Sequence, residues 1–495
     1  MAVSAARIAA GSPSPSKPLS RRFATLHLTN NNLSGETPVR HSLSTLLIGL
    51  AFVGYTLPGS AAVTAQEAAA LGKDLTLFGA IQAGNADGSI PPYDGGLRKP
   101  PAGFVADSGF WVDPFKEEKP LLRIDGKNVD KYADKLSEGQ KTLLKKYPDY
   151  YLDIYPSHRT TAYPKEVLDA TVRNASGCST RNNGLAVDPV CRGGLPFPIP
   201  KNGNEVMWNQ QLRYKIGPGY STTSSSNSWV IDANGSVTKT AEQRTFEEQP
   251  FYQVKQADRD PEMYARVYAL DKYPARSAGQ LIVLDDYLDP IAKPRRAWSY
   301  TPGQRRIKLA PEFGYDTPVS NQGGVNLFDE LQMFSGAQDR FDYKLVGRKE
   351  MYLPYNAYKF YFDCKQEDQF LPHHANPACE RWELHRVWVV EATLKPGMRH
   401  VYSKRTYYLD EDTFGIGLYD AWDASGALYR SLFLSGVQLY DKDLPYNVKN
   451  VSYDFNKGMW ALVNDGLKGG YKFFSTPRTE LEMNAEAIVS KETQR

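Results

Sequence analysis

Residues 382–440 read as four strand-length segments set almost end to end: WELHRVWVVEATLKPG, HVYSKRTYYLDEDTFG, IGLYDAWDASG and ALYRSLFLSGVQLY. Only short turns of Pro, Gly, Asp or Ser part them. Parallel neighbours need a crossover of about a dozen residues or more, so strands this close in sequence pair antiparallel. That excludes a doubly wound parallel fold for this part of the chain.

Strand texture begins near Ser221. In SNSWVIDANGSVTKT the pair Asn234-Gly235 stands between two β-prone runs, a hairpin cue of type I′, whose two central residues both need positive φ. RRAWSYTPGQRRIKLAP alternates around Pro302-Gly303, which places Ala297, Ser299 and Thr301 on one face and Arg296, Trp298 and Tyr300 on the other. Upstream the texture is helical. NVDKYADKLSEGQKTLLKKYPDY sets Val129, Tyr132, Leu136, Leu143 and Leu144 at near-helical spacing, YPKEVLDATVRNAS has Pro164 near a first turn, and NEVMWNQQLRYK tilts to helix by propensity. A brief helix is expected at AQEAAALG. The architecture expected is α+β: one large curved antiparallel sheet with helices segregated to one side. No Pro- or Ser-rich linker divides residues 66–495, so they read as a single domain, helix-rich over about 115–215 and strand-rich over 221–475.

Residues 1–40 are rich in Ser, Arg, Asn and Pro without apolar periodicity, and they read as a disordered extension or as the product of a start placed too far upstream. Residues 41–65 then run through an apolar stretch, Leu43 to Leu57, into Val63-Thr64-Ala65 before Gln66. That is the order of a secretory signal, with a mature chain from about Gln66 and a periplasmic location; an uncleaved anchor helix and a plant-type transit peptide are the other readings. Export brings oxidation. Cys178 and Cys191 bracket one loop-like segment and Cys364 and Cys379 another, so two local disulfides are the economical pairing, with a zinc site as the weaker alternative. The charge of +3, from 59 basic and 56 acidic residues, forms no basic stripe, and no nucleic-acid partner is expected.

Motifs for chemistry are sparse. AGNADGSIPPYD, residues 83–94, sounds like a calcium loop, but Ala83 offers no oxygen at the first position and Pro91-Pro92 stand where a helix would start. It reads as a turn held by its glycines and prolines. His373, His374, His385 and His400 could meet in space, yet nothing in the sequence brings them together, and no metal is assigned. No G-x-S-x-G, H-E-x-x-H, Walker or dinucleotide motif is present. Aromatics are abundant at 12% of the chain, and a curved sheet can spend them on its core or on the wall of a ligand cavity.

Six blocks carry a resemblance: LGKDLTLFGAIQAGNADGSIPPYDGG, YPSHRTTAYP, PFPIPKNGNEVMWNQQLRY, GQRRIKLAPEFGYDTP, ELQMFSGAQDRFDYKLVGRKEMYLPYNAYK and ELHRVWVVEATLKPGMRHVYSKRTYYLDED. In this order, over residues 66 to about 475, they look like the bacterial domain-of-unknown-function 1329 family. The resemblance implies the fold of the lipoprotein-localisation carriers of the Gram-negative periplasm, a half-open antiparallel barrel wrapped on helices with an apolar interior. It also implies an inner-membrane exporter of hydrophobes and an outer-membrane protein as partners, and it supplies neither catalytic residues nor a cofactor.

The function expected is binding and transfer of a lipid or other hydrophobic ligand, with Trp229, Trp298, Tyr300, Trp388 and Tyr407 as candidate cavity-wall residues because they lie on expected strands. The alternatives are a hydrolase-type enzyme using His373, His374 or His385 with a nearby carboxylate, and a non-catalytic envelope scaffold.

Overall fold

The computed structural model describes residues 63–493. The extension expected at 1–40 and all but the last three residues of the signal expected at 41–65 lie outside the described residues. In chain order the strands are β1 (Leu122–Ile124), β2 (Leu152–Ile154), β3 (Thr180–Arg181), β4 (Ala186–Val187), β5 (Tyr220–Ile231), β6 (Val237–Glu248), β7 (Met263–Tyr273), β8 (Leu281–Tyr287), β9 (Arg296–Thr301), β10 (Arg306–Leu309), β11 (Phe341–Pro354), β12 (Trp382–Leu394), β13 (Lys404–Asp410), β14 (Ile416–Trp422), β15 (Leu428–Leu439), β16 (Leu444–Asp454), β17 (Met459–Asp465) and β18 (Tyr471–Phe474). The helices are α1 (Ala65–Ala68), α2 (Glu138–Lys146), α3 (Lys165–Gly177), α4 (Gly203–Leu212), α5 (Glu480–Met483) and α6 (Ala485–Thr493).

Sixteen strands form one sheet. Two meanders build it, β5 to β10 and β11 to β17, joined edge to edge where Trp460 of β17 faces Ile231 of β5. β18 extends the same edge of β5, and β1 and β2 continue the sheet beyond β12. Pairing is antiparallel throughout except for one contact between β2 and β12. Short connections dictate this, as the sequence spacing requires. Register shifts at Thr223/Ser226, Ser228/Trp229 and Leu434/Gly436 mark bulges, which bend a strand and deepen its twist. The sheet is curved and not closed, and the fold is α+β.

Local signals account for the element ends. The region expected as one helical run is two: a 3-10 turn over Val129–Lys135, then α2, because Ser137 caps a fresh start and exchanges hydrogen bonds with Gln140. Its apolar positions Val129, Leu136, Leu143 and Leu144 are all buried. The start of α2 is docked by Asp420, whose carboxylate accepts from the backbone N–H groups of Glu138 at 2.8 Å and Gly139 at 3.1 Å. A Cβ on Gly139 would stand 2.1 Å from Ser431 Oγ, so only glycine allows this approach. The β5–β6 hairpin turns at Asn234-Gly235, but with a longer loop than type I′. Gly235 alone takes positive φ, at 82°, while the Asp232 carboxylate accepts from the N–H groups of Asn234 and Ser236. An Asx side chain has replaced the second left-handed residue.

Both cysteine pairs are bridged, Cys178–Cys191 and Cys364–Cys379, with Cα atoms 5.0 and 5.7 Å apart. The calcium-like loop spends its polar side chains on itself: Asn85 Oδ1 accepts from the Ile90 N–H and Asp87 from the Ser89 N–H.

A candidate ligand cavity

Alternation along the strands from β16 through β17 and β5 to β8 decides what the sheet encloses. One face of β6 carries Gln243, Thr245 and Glu247; the same face of β7 carries Ala265, Val267 and Ala269, and that of β8 carries Ile282 and Leu284. With Ser221, Thr223 and Ser226 of β5 and Val448 and Asn450 of β16, these residues line a cavity of about 310 Å³. Its lining is graded: hydroxyl, amide and carboxylate groups on β5 and β6, and aliphatic groups on β7 and β8 between Asp271 and Asp286. The resemblance implied an apolar interior, whereas this one is amphipathic.

The segment 313–335 closes the cavity from above the sheet, contributing Phe313, Val319, Phe328, Leu331 and Phe334. Within it Gln332 and Met333 adopt left-handed φ values of 53° and 76°, a conformation that costs side-chain-bearing residues energy and that surrounding contacts must hold. Gln332 has such a contact. Its amide donates to Glu247 Oε1 at 2.7 Å, and Lys215 Nζ donates to both of them, so the three side chains latch the cover to β6. Burial pushes the Lys215 ammonium down to about 8, against the pull of Glu247. Arg295 holds Asp286 through two bonds of 2.7 and 2.9 Å, on the wall shared with a smaller adjoining cavity of about 110 Å³. Arg213, also on the wall, is pushed down to about 10 by burial.

A second polar cluster lies where β13 turns into β14. His385, Asp410 and Asp412 are buried, and one ligand-type atom from each falls within 4.8 Å of the others. Arg159 grips Asp412 through bonds of 3.0 and 2.6 Å, and Arg386 reaches Glu411 at 3.0 Å. His385 lies 3.1 Å from Glu383 and stacks on Tyr355 with ring centroids 3.7 Å apart. Burial and the neighbouring Asp412 push Asp410 up to about 7. Guanidinium groups hold Asp412 and Glu411, while Asp410 Oδ2 accepts from the Thr413 N–H and hydroxyl and its Oδ1 has no partner; the arginine pairs tie the 155–164 segment to the sheet. The other histidines have separate partners: His373 stacks on Tyr147, His374 faces Asp149 at 3.3 Å, and His400 lies 3.1 Å from Asp329. None of these three stands on the wall of the large cavity.

The family described as "Protein of unknown function (DUF1329)" matches residues 123–487. This chain belongs to the DUF1329 family. An uncharacterized protein of Pseudomonas aeruginosa is 40% identical over 418 residues, covering 83% of this chain and 90% of that one. Among solved structures, a DUF1329 protein of Desulfovibrio piger is similar at 13% identity and a TM-score of 0.37, over 54% of this chain and 90% of its own. A domain from Vibrio parahaemolyticus, described as outer membrane lipoprotein-sorting, is similar at 14% identity and a TM-score of 0.39, over 58% of this chain and 97% of its own.

In this DUF1329 chain none of the five aromatics expected on the wall lines the large cavity. Trp298 and Tyr300 share the reverse face of the sheet with Phe246, Tyr268, Leu281 and Val283, beneath Met483 and Ile488 of α5 and α6. Trp229 packs against Phe370, ring centroids 5.3 Å apart, on the face opposite Val230. Trp388 lies under the Arg348 guanidinium at 3.9 Å. Tyr407 comes nearest, its ring 5.9 Å from that of the wall residue Phe334, but it is itself fully buried. The wall does carry rings, those of Tyr264, Phe313, Phe328, Phe334, Tyr446 and Tyr471, but most of its residues on β5 to β8 are small or polar and escaped notice for that reason. Their signal was the period-2 spacing in QRTFEE and ARVYAL, which names two faces without saying which is inner.

Proposed function

We propose that this DUF1329 protein is an exported, periplasmic binding and transfer protein that carries one amphiphilic, largely hydrophobic molecule in the cavity under β5 to β8. The carrying observation is the graded cavity of about 310 Å³, with the smaller one of about 110 Å³ adjoining it, on a sheet that otherwise packs a large hydrophobic core. Small-molecule sites run from about 300 to 1,000 Å³, so the space suits a single chain or ring system. Burial of apolar surface, at about 25 cal/mol per Å², is the driving force, and the polar groups on β5 and β6 orient the ligand. All four cysteines are paired, which fits an oxidising compartment. Transfer requires partners on either side, and an inner-membrane exporter and an outer-membrane protein are the classes proposed. The histidine-carboxylate cluster lies off the cavity wall, so the geometry favours carriage over hydrolysis.

Native mass spectrometry of protein purified from its host periplasm tests this. A single hydrophobic adduct per chain, displaced by the neutral probe 1-N-phenylnaphthylamine, is expected. Protein that is always bare and takes up no probe refutes the proposal.

A further inference from the structure

Charge accounting on the cavity wall leaves a remainder. The cationic wall residues are Arg213, Lys215 and Arg295. Lys215 is paired with Glu247 and Arg295 with Asp286, but among the described residues no carboxylate lies within ion-pair distance of Arg213. Arg213 is only 2% exposed. Two of its nitrogens reach backbone carbonyls, Gln210 O at 2.6 Å and Asn447 O at 3.5 Å, and Nε finds no acceptor in the protein. A guanidinium does not shed its proton near neutral pH, and a buried charge held only by the carbonyls of Gln210, at the end of α4, and Asn447, and by the attraction of Glu247 beyond ion-pair distance, is expensive, so its retention on a cavity wall calls for an explanation. The wall carboxylate left without a cation, Asp271, accepts from Gln243 at 2.7 Å, is partly open to solvent, and can protonate or hydrate. Arg213 has neither option.

We infer that the cavity's ligand is an anionic amphiphile whose oxyanion head, carboxylate or phosphate, pairs with the Arg213 guanidinium while its apolar tail lies along β7 and β8. This rests on the reading that the cavity holds a ligand, and it adds the ligand's charge and orientation. The fork of the guanidinium matches the two oxygens of a carboxylate or phosphate, whereas an alcohol offers one weaker acceptor. The lining agrees: aliphatic Val267, Ala269, Ile282 and Leu284 accept a tail.

The test is displacement of bound 1-N-phenylnaphthylamine, at about pH 8, by hexadecanoate, hexadecyl phosphate, hexadecanol, hexadecyltrimethylammonium and inorganic phosphate, on the full mature chain. The two anionic amphiphiles should compete at concentrations about tenfold below hexadecanol, with the ammonium weakest, and inorganic phosphate alone should not compete. Their ranking against each other separates a carboxylate from a phosphate head. Arg213→Gln should bring anion and alcohol within roughly threefold, and Arg213→Lys should keep the anion preference. Equal competition by alcohol and anions in the native protein overturns the inference and leaves the carrier reading standing, and that arm needs no variant to fold. A preserved preference in folded Arg213→Gln, or competition by inorganic phosphate alone, also overturns it. Failure of every probe to bind overturns the carrier reading as well.

Discussion

Glu380→Gln should change how stability depends on pH, by an amount the structure lets one work out. Glu380 follows Cys379 of the second disulfide, is 5% exposed, and has Oε2 without a hydrogen-bond partner. Burial pushes its carboxyl from 4.5 up to about 8. The folded-state value is raised, so folding takes up a proton between these limits. The associated stability is complete below about pH 4.5 and is lost as pH rises towards 8. Over that window each rise of one pH unit costs the folded state about 1.36 kcal/mol, so between about pH 5 and 7.5 the native protein should lose about 3 kcal/mol that Glu380→Gln does not lose. Urea unfolding followed by tryptophan fluorescence, disulfides intact, measures both proteins across that range. Other titrating groups are common to both and cancel in the difference. The two should be nearly equal at about pH 5, with the glutamine variant more stable at about pH 7.5. Parallel pH profiles would refute the reasoning, because they would mean that Glu380 titrates alike in the folded and unfolded chains.

Three further outcomes follow from the geometry. Ala269→Trp projects an indole from β7 into the cavity and should abolish 1-N-phenylnaphthylamine uptake at a stability cost under about 3 kcal/mol, read by fluorescence titration and urea unfolding. Trp298→Ala should do the reverse: it removes packing beneath α5 and α6, at a cost of about 2–3 kcal/mol, and leaves probe uptake intact because the ring is on the other face. Replacing Cys178 and Cys191 together by serine opens a loop with a sequence separation of 13, and the unfolding midpoint should fall by the equivalent of about 3 kcal/mol in the chain-entropy account.

The antiparallel order of β12 to β15 was legible because strand length and turn length are local properties, and a short connection leaves a strand no other neighbour. The partition of Ala297, Ser299 and Thr301 from Arg296, Trp298 and Tyr300 was legible for the same reason. Ala297 does lie with Leu284 and Ala310, and Trp298 with Leu281 and Val283 on the reverse. Assigning the cavity to the aromatic face failed for a reason specific to this fold. Hydrophobic alternation tells inside from outside only when one face is wet, and here α5 and α6 bury the reverse of β6 to β9. With both faces covered, the presence of rings does not tell the two apart, because the cavity wall carries Tyr264, Phe313, Phe328, Phe334, Tyr446 and Tyr471 while Phe246, Tyr268, Trp298 and Tyr300 pack the reverse. Large rings go where packing is complete, as Phe246 on Tyr268 shows at 4.9 Å between centroids. A wall must stop short of filling its own space, so the central stretches of β5 to β7 that line it present mainly Ala, Val, Ser and Thr, with tyrosines only at Tyr264, Tyr446 and Tyr471 among the strand residues. In a doubly covered sheet the face that mixes small side chains with its rings is therefore the one that can hold a ligand, and a single unpaired cation beside that face, Arg213 at the end of α4, says more about the ligand than the aromatics of the reverse face.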